Sequence, residues 1–581
     1  MSTPNFSPAD IAAAVGKKFA PTDEQAQVIA GGLGPKLVTA GAGAGKTETM
    51  ASRVVSLVAN GLVRPEQVLG LTFTRKAAQQ LEQRIRKSLI QLRDTGLFAP
   101  GSEVAKSLES IAPKVSTYDS YAGELVREYG LYLPVEPSAR LITDAERFAI
   151  AHEIVSNFEG EMTTKTSVAT VAQTVLKLAD NMGNVLMSEE DIREHARIML
   201  SDATELPKAR KSGPEFSQEL QKILDVQRIR VEYLELVAAV QAEQHAQGVV
   251  SFGEQMSFAA RVAAANPGIG AIQRQRYRVV MLDEYQDTSH SQRVLLRSLF
   301  GGTAHPNLSV TAVGDPMQAI YGWRGATTEN LNEFVRDFPV DDSTPAPQDQ
   351  LTVSWRNPSR VLDLANVVAD DIFAGANPRP VDRLSARPGA DDGDVQLGYF
   401  ESQEKEREFV ARHMRAIYDK TQENKEPLSA AILVRTNRHA AEIARHLEAE
   451  GVPYEIVGLG GLLWEPEIQD LVALATMLVR PQDSAAALRI LAGPLCGLGM
   501  SDILALRQRV DNMTGASDER VVYTPGDDPL EHLRAQLHQQ VASATTHRPE
   551  QVLGLADAVA DMGEAERYTE EGRGRIEKLA S

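Results

Sequence analysis

Cysteine is almost absent: Cys496 is the only one in 581 residues. That excludes an intrachain disulfide and any cysteine-built zinc or iron–sulfur site, and it fits a reducing compartment. No run of about 18 apolar residues occurs, and MSTPNFSPAD at the N-terminus lacks the charged-then-apolar order of a secretory leader. The expectation is a soluble, cytoplasmic protein. Positive charge is also scarce, with 60 Lys and Arg against 79 Asp and Glu and a formal charge of −19. This argues against a surface coated in basic residues for nonspecific nucleic-acid binding, though a basic groove remains open. The locally basic sets Arg84, Arg86 and Lys87, Lys208, Arg210 and Lys211, and Arg274, Arg276 and Arg278 read first as solvated faces. An apolar share of 43% supports packed cores, and the length implies three or four domains or subdomains.

What is present centres on Leu37 to Thr47, LVTAGAGAGKT. A buried strand empties into a glycine-rich loop in which Ala40, Gly41, Ala42, Gly43, Ala44, Gly45, Lys46 and Thr47 match A/G-x-x-x-x-G-K-S/T. The following TMASRVVSLVA has helical spacing, which completes the strand, loop and helix this motif requires. Glycines let successive N–H groups turn inward on phosphate oxygens at the positive end of the helix. Lys46 would reach the β and γ phosphates of a nucleotide such as ATP, and Thr47 its Mg²⁺. A chance lysine in an alanine-rich loop is the bland alternative; the flanking strand and helix weigh against it.

Other segments fall into order around this loop. FAPTDEQAQVI starts a helix with Thr22 as N-cap and Gln25 completing a capping box, and Gln25 either merely caps or also meets adenine's edge. VLGLTFTRKAA ends a strand in Thr72, Phe73, Thr74 and Arg75, a mixture suited to a nucleic-acid backbone with one base stacked, unless Phe73 is simply core. VSTYDSYAGELV repeats that mixture. From about Ala122 to Val250 the text is helical, with starts at Thr143 and Ser188. RYRVVMLDEYQDT places Asp283 and Glu284 at the end of an apolar strand, where one carboxylate holds Mg²⁺ and the other orients and deprotonates water. VTAVGDPMQAIYGWRGA ends a strand ahead of Gln318, a γ-phosphate sensor by position, and of Tyr321 and Trp323, stacking surfaces for bases or else core.

The polar, proline-bearing FPVDDSTPAPQDQ marks a domain boundary, after which LTVSWRNPSR closes a strand with Trp355 and Arg356. Arg356 is placed to enter on the γ-phosphate from a second domain and Trp355 to stack on adenine. Residues 375–394 form a loop; VQLGYF, AAILVRTN and EGVPYEIVG read as strands, and the chain turns helical again from about Gly461. The fold class is α/β.

TDEQ, AGAGAGKT, LTFTRKAA, STYDSYA, DEYQDT, VGDPMQAIYGWRGA, SWRN, ILVRTN and EPEIQDL, in this order, resemble the UvrD, Rep and PcrA family of superfamily 1 helicases. The resemblance runs from Phe19 to the end of the chain. It implies two RecA-like parallel-sheet domains, 1A and 2A, with ATP between them, helical insertions 1B and 2B, and 3′ to 5′ movement on single-stranded DNA. The implied division is 1–121 and 251–345 for 1A, 122–250 for 1B, 346–460 for the first part of 2A and 461–581 for 2B. By motif position Gln25 and Trp355 resemble adenine contacts and Lys46, Thr47, Asp283 and Glu284 the phosphate, Mg²⁺ and hydrolysis set. Gln318 and Arg356 resemble γ-phosphate sensors, and Phe73, Tyr321 and Trp323 the base-stacking aromatics.

Asp119 stands where the family usually has the histidine of TFHS, and Trp355 replaces a tyrosine. The family's TxHxxKGLEW and VAxTRA segments do not occur, which leads to the expectation that the closing half of 2A and its second arginine finger are missing. GKTETMASRVVSLVANGLVRPEQVLGLTFTRKAA most resembles the AdnB-type subunit of actinobacterial helicase–nucleases, implying an AdnA-like partner and work on duplex DNA ends in repair and recombination. Two other functions stay open: a nucleotide- and DNA-binding module with little turnover, and a motor on RNA.

Overall fold

The structure, a computed structural model, describes residues 6–580 except 100, 110–112, 133–135, 137–138, 161, 207–215, 328, 376–378, 426, 458–464, 514–529, 532, 535–536 and 539–552. Lys208, Arg210 and Lys211 and the expected helical onset at Gly461 lie outside the described residues. The chain forms two compact units, Met1–Gln396 and Leu397–Ser581. Among the described residues no helix is long and apolar enough to cross a membrane.

The first unit is built on β1 (Lys36–Ala40), β2 (Val68–Thr72), β3 (Lys114–Thr117), β6 (Val279–Leu282), β7 (Ser309–Gly314) and β8 (Gln348–Leu351), in the order β3-β2-β6-β7-β1-β8. All five pairings are parallel. Their Val- and Leu-rich cores suit strands buried on both faces. Alternation sorts them into two layers: Leu37, Val280, Leu282, Val310 and Ala312 enter one core with the helices Tyr118–Tyr129, Phe252–Ala265 and His290–Phe300. Val38, Val279, Met281 and Val313 enter the other, with Lys46–Ala59 and Arg75–Asp94.

Between β3 and β6 the helices Asp144–Ser156, Val168–Val185, Glu189–Glu205 and Gln218–Ala246 enclose a separate core around Val175, Leu234 and Val237. The caps at Thr143 and Ser188 are both reciprocal capping boxes, with Glu146 and Asp191. The short strands β4 (Arg140–Leu141) and β5 (Val249–Val250) pair in parallel at the base of this insertion. Past the polar turn at 339–347, β8 pairs with β1, so the segment expected to open a second domain begins as a strand of the first sheet. Next, β9 (Val353–Ser354) ends just before Trp355 and pairs with β10 (Ser385–Ala386), inside the stretch expected to be loop.

The second unit contains helices and, among its described residues, no strand. VQLGYF, AAILVRTN and the described part of EGVPYEIVG form no strand, contrary to the sequence expectation, and Asn437 already opens the next helix. Leu397, Tyr399, Leu433 and Val457 are almost wholly exposed. An apolar alternation marks a segment fit for a strand, but the strand exists only when a neighbour supplies its hydrogen bonds. Gln403–Asn424 packs on Asn437–Ala449 through Ala411 and Leu447, and Arg407 pairs with Glu442. A further helical core gathers around Ile490, Leu491, Leu506 and Ile576.

One buried cation ties the first unit together. Arg53, on the Lys46–Ala59 helix, is 0% exposed. Its guanidinium donates to the carbonyls of Val28, Gly31 and Gly32, at 2.7, 2.7 and 2.8 Å, and to the hydroxyls of Thr311 and Ser309, both at 3.1 Å. Burial lowers its pKa to about 10, with the charge of Asp349 opposing, so it stays protonated at neutral pH. The helix Asp23–Ala30, the phosphate-loop helix and β7 are thereby held by one side chain. Arg53→Met keeps most of the volume but orphans three carbonyls. Unfolding in denaturant should show a loss on the order of 3 kcal/mol or more; a loss under about 1 kcal/mol would mean the helices and β7 hold without this pin.

Candidate nucleotide and nucleic-acid site

The carboxyl ends of the parallel strands bring the predicted residues to one edge of the sheet. After β1 the loop turns through Gly43 and Gly45 at φ +78° and +82°, a region L side chains rarely adopt, and Gly45 caps the helix that begins at Lys46. Thr47 lies half-buried at the second position of that helix. A Cβ on Gly43 would stand 2.6 Å from Ser354 Oγ and 2.7 Å from Arg356 Cβ. The segment after β9 therefore lies directly on the loop. Trp355 N donates to Gly43 O at 2.9 Å and Ser354 Oγ to Ala42 O at 3.0 Å.

Gln25 caps and also reaches the loop. Its Oε1 accepts from Thr22 N, and its Nε2 donates to Ala44 O at 3.2 Å. Trp355 packs on Phe19, centroids 5.2 Å apart, and its Nε1 is buried without a partner. Phe19 was not singled out in the sequence, although FAPTDEQ displays an aromatic three residues ahead of the N-cap.

Asp283 and Glu284 follow β6. Lys46 Nζ meets Glu284 Oε2 at 3.0 Å, and Glu284 has φ +49°, left-handed backbone in a non-glycine residue. That conformation costs on the order of 1 kcal/mol or more. Burial, then the charge of Glu284, raises the Asp283 carboxyl to about 6, with Lys46 and the Glu284 N–H opposing. Gln286 is buried and fully used: Nε2 donates to Glu284 Oε2 at 2.9 Å and Asp287 Oδ2 at 3.2 Å, while Oε1 accepts from Asp315 N at 3.1 Å. Gln318 Nε2 donates to Asp315 Oδ2 at 2.6 Å, so its amide is turned onto the strand end after β7.

Beside these groups stands a file of aromatic rings. Trp323 is 65% exposed and lies 5.9 Å from Tyr321, which stacks on Phe73 at 5.5 Å and 26°; Phe73 meets Tyr118 edge-on at 5.6 Å. Thr74 caps the helix Arg75–Asp94, and both Thr74 and Arg75 are exposed. Thr72 differs from expectation: it is 0% exposed, and its hydroxyl donates to Thr74 O at 3.1 Å. It orders the turn instead of facing a ligand. The basic set Arg274, Arg276 and Arg278 is occupied within the fold, Arg276 pairing with Glu128 and Arg274 and Arg278 donating to backbone carbonyls, and in the first set Arg84 pairs with Glu48.

Among the described residues no group of three or more His, Cys, Asp and Glu side chains could hold a metal. Mg²⁺ needs no such group where phosphates and waters complete its shell. One buried carboxylate of raised proton affinity, Asp283, with Thr47 on the neighbouring helix fits that requirement.

A profile of the UvrD/REP helicase N-terminal domain matches residues 21–339, and one of the UvrD-like helicase C-terminal domain matches 350–517. The ATP-dependent DNA helicase UvrD1 of Mycobacterium tuberculosis is 28% identical over 518 residues, covering 88% of this chain and 59% of that protein. PcrA of Leuconostoc citreum is 25% identical, covering 84% and 57%, and Rep of Escherichia coli 24%, covering 83% and 62%. The chain thus spans about three fifths of the length of the relatives it matches. With the phosphate loop, the paired carboxylates and the aromatic file on one sheet edge, the matched profiles show that the chain belongs to the UvrD/Rep helicase family.

Proposed function

We propose that the chain is the motor portion of an ATP-dependent 3′ to 5′ helicase or translocase acting on single-stranded DNA. The observation that carries this reading is the Lys46–Glu284 pair at 3.0 Å beneath a loop already in contact with the Trp355–Arg356 segment. An incoming γ-phosphate competes with Glu284 for Lys46. Glu284, freed from the lysine, is then a base beside the phosphate and orients the attacking water. The loop N–H groups and Lys46 hold the phosphates, Arg356 approaches the γ-phosphate, Gln318 senses it, and Gln25 and Trp355 hold adenine. Mg²⁺, when bound by Asp283 and Thr47, neutralises charge on the phosphate oxygens. Phe73, Tyr321 and Trp323 stack bases, with Thr74 and Arg75 on the backbone.

Repair and recombination at duplex ends, within an AdnB-type assembly with an AdnA-like partner, is the finer form of this proposal. It is supported by the run from Gly45 to Ala78. A second reading, binding with little turnover, is favoured by Gln318, whose amide is committed to Asp315.

Hydrolysis of ATP stimulated by single-stranded DNA tests the first reading against the second. Glu284→Gln should cut turnover on the order of 10³-fold while nucleotide still binds, and Lys46→Ala should lose nucleotide binding. Turnover at background in the unaltered chain favours the binding module, and stimulation by RNA in place of DNA favours the RNA motor.

Asp283 gives a pH test. Its folded pKa, about 6, lies above the ordinary 3.8, so the folded protein holds the extra proton between those values and loses stability as pH rises through that window. Without nucleotide or metal, Asp283→Asn should be about 3 kcal/mol more stable than the parent at pH 7.5 and within about 0.5 kcal/mol of it near pH 4. Denaturant midpoints at the two pH values check this; equal midpoints at pH 7.5 would show that the carboxylate is unstrained.

A further inference from the structure

We infer that Tyr118 is a positioning residue that couples the nucleic-acid platform to the nucleotide site through its hydroxyl. The inference rests on the reading that Phe73, Tyr321 and Trp323 receive bases. Tyr118 is 3% exposed at the start of the helix after β3, and it belongs to neither set of ligand contacts. Its ring forms the inner end of the aromatic file, edge-on to Phe73 at 62°. Its Oη donates to the backbone carbonyl of Asp283 at 3.0 Å. That carbonyl belongs to the peptide joining Asp283 to Glu284, whose φ of +49° is the least relaxed backbone at the site.

One side chain thus touches the stacked ring on one side and the strained peptide on the other. A base seated on Tyr321 and Phe73 presses on a packed edge-to-face contact, and the only polar atom of the next ring is fixed to the Asp283 carbonyl. Packed rings are stiff and displace together. A shift of Phe73 is therefore delivered to the Asp283–Glu284 peptide, which sets where Glu284 stands relative to Lys46. The tie runs in both directions, because a coupling free energy between two sites is reciprocal.

A second tie supports this route. The Asp287 carboxylate accepts from Ile320 N at 3.2 Å, so the loop bearing Tyr321 hangs from the same turn that comes after Glu284. The platform is therefore fixed to the β6 end at two points, and Tyr118 is the one that reaches the Asp283–Glu284 peptide itself. A useful control lies on the same helix: Tyr121, 2% exposed, donates its Oη to Gln273 Oε1 at 3.0 Å, away from both sites.

The test measures binding, so it does not depend on turnover. The dissociation constant of a non-hydrolysable ATP analogue with Mg²⁺ is measured with and without saturating oligo(dT), in the 581-residue chain and in Tyr118→Phe and Tyr121→Phe. In the parent, DNA should change nucleotide affinity by a factor on the order of 10. Tyr118→Phe should bring that factor below about 3 while each ligand alone binds within about twofold of the parent. Tyr121→Phe should keep the parental factor while lowering the melting temperature. A parental factor in Tyr118→Phe overturns the inference, and so does an equal loss in Tyr121→Phe, which would mark general loosening of the helix. A parent that binds no oligonucleotide fails the proposed function itself, before any variant is compared.

Discussion

Parallel pairing is the constraint on which everything else rests. Because β1, β2, β3, β6 and β7 run the same way, their carboxyl ends lie on one edge, and each strand delivers its next few residues there. β1 gives the phosphate loop, β6 the two carboxylates, β7 Gly314 and Asp315, β2 the Phe73 turn, and β3 Tyr118. In an antiparallel sheet alternate members of this set would stand on opposite edges. β8, on the far side of β1, then leads the chain to the Trp355–Arg356 segment that closes on Gly43. Arg53 holds that arrangement from beneath, since it stands on the loop helix and its guanidinium binds the Gln25 helix and β7.

At that edge, local favourability is set aside. Glu284 takes a backbone conformation that suits glycine, and Asp283 is buried deeply enough to resist ionisation. Neither feature helps the fold. Both make sense if a phosphate and a divalent cation arrive: the cation offsets the buried negative charge, and the phosphate takes over Lys46. A relaxed, solvated pair of carboxylates would gain less from ligand and would discriminate less between the empty and filled states.

Features set by near neighbours were legible. The loop and its helix, the capping box at Thr22, the helix starts at Thr143 and Ser188, and the carboxylates at the end of β6 each depend on residues within a few positions, and the structure has them where the sequence put them. Features set by distant partners were not. Nothing near Gln348 announces that β8 joins β1, and nothing in VQLGYF or AAILVRTN says whether a neighbouring strand is there to pair with. Side-chain direction failed for the same reason: Thr72 looks ready for a ligand in a string of hydroxyls, yet strand alternation and the Thr74 carbonyl turn it inward. Phe19 was visible but had no meaning until Trp355, 336 positions on, was packed against it.

The Gln286 amide explains why the elements of this edge cannot move one at a time. Its two N–H donors serve Glu284 and Asp287, and its oxygen accepts from Asp315 N, so neither donor is left for water. It is buried, so any bond it loses must be replaced within the protein. If Glu284 swings away from Lys46 toward a water, the Gln286 amide loses a partner and must rotate or shift. Rotation would turn its acceptor from Asp315 N, and Asp315 is what now holds Gln318. Under the proposed roles, release of Glu284 toward a water and release of Gln318 toward a phosphate would be parts of one rearrangement. Asp287 extends it to the Ile320 backbone and so to the loop of Tyr321. A satisfied buried network of this kind has few intermediate arrangements, which favours two discrete states over a continuum. Two discrete states would give the proposed nucleotide and base sites one shared element to bias, each ligand favouring the state it binds better.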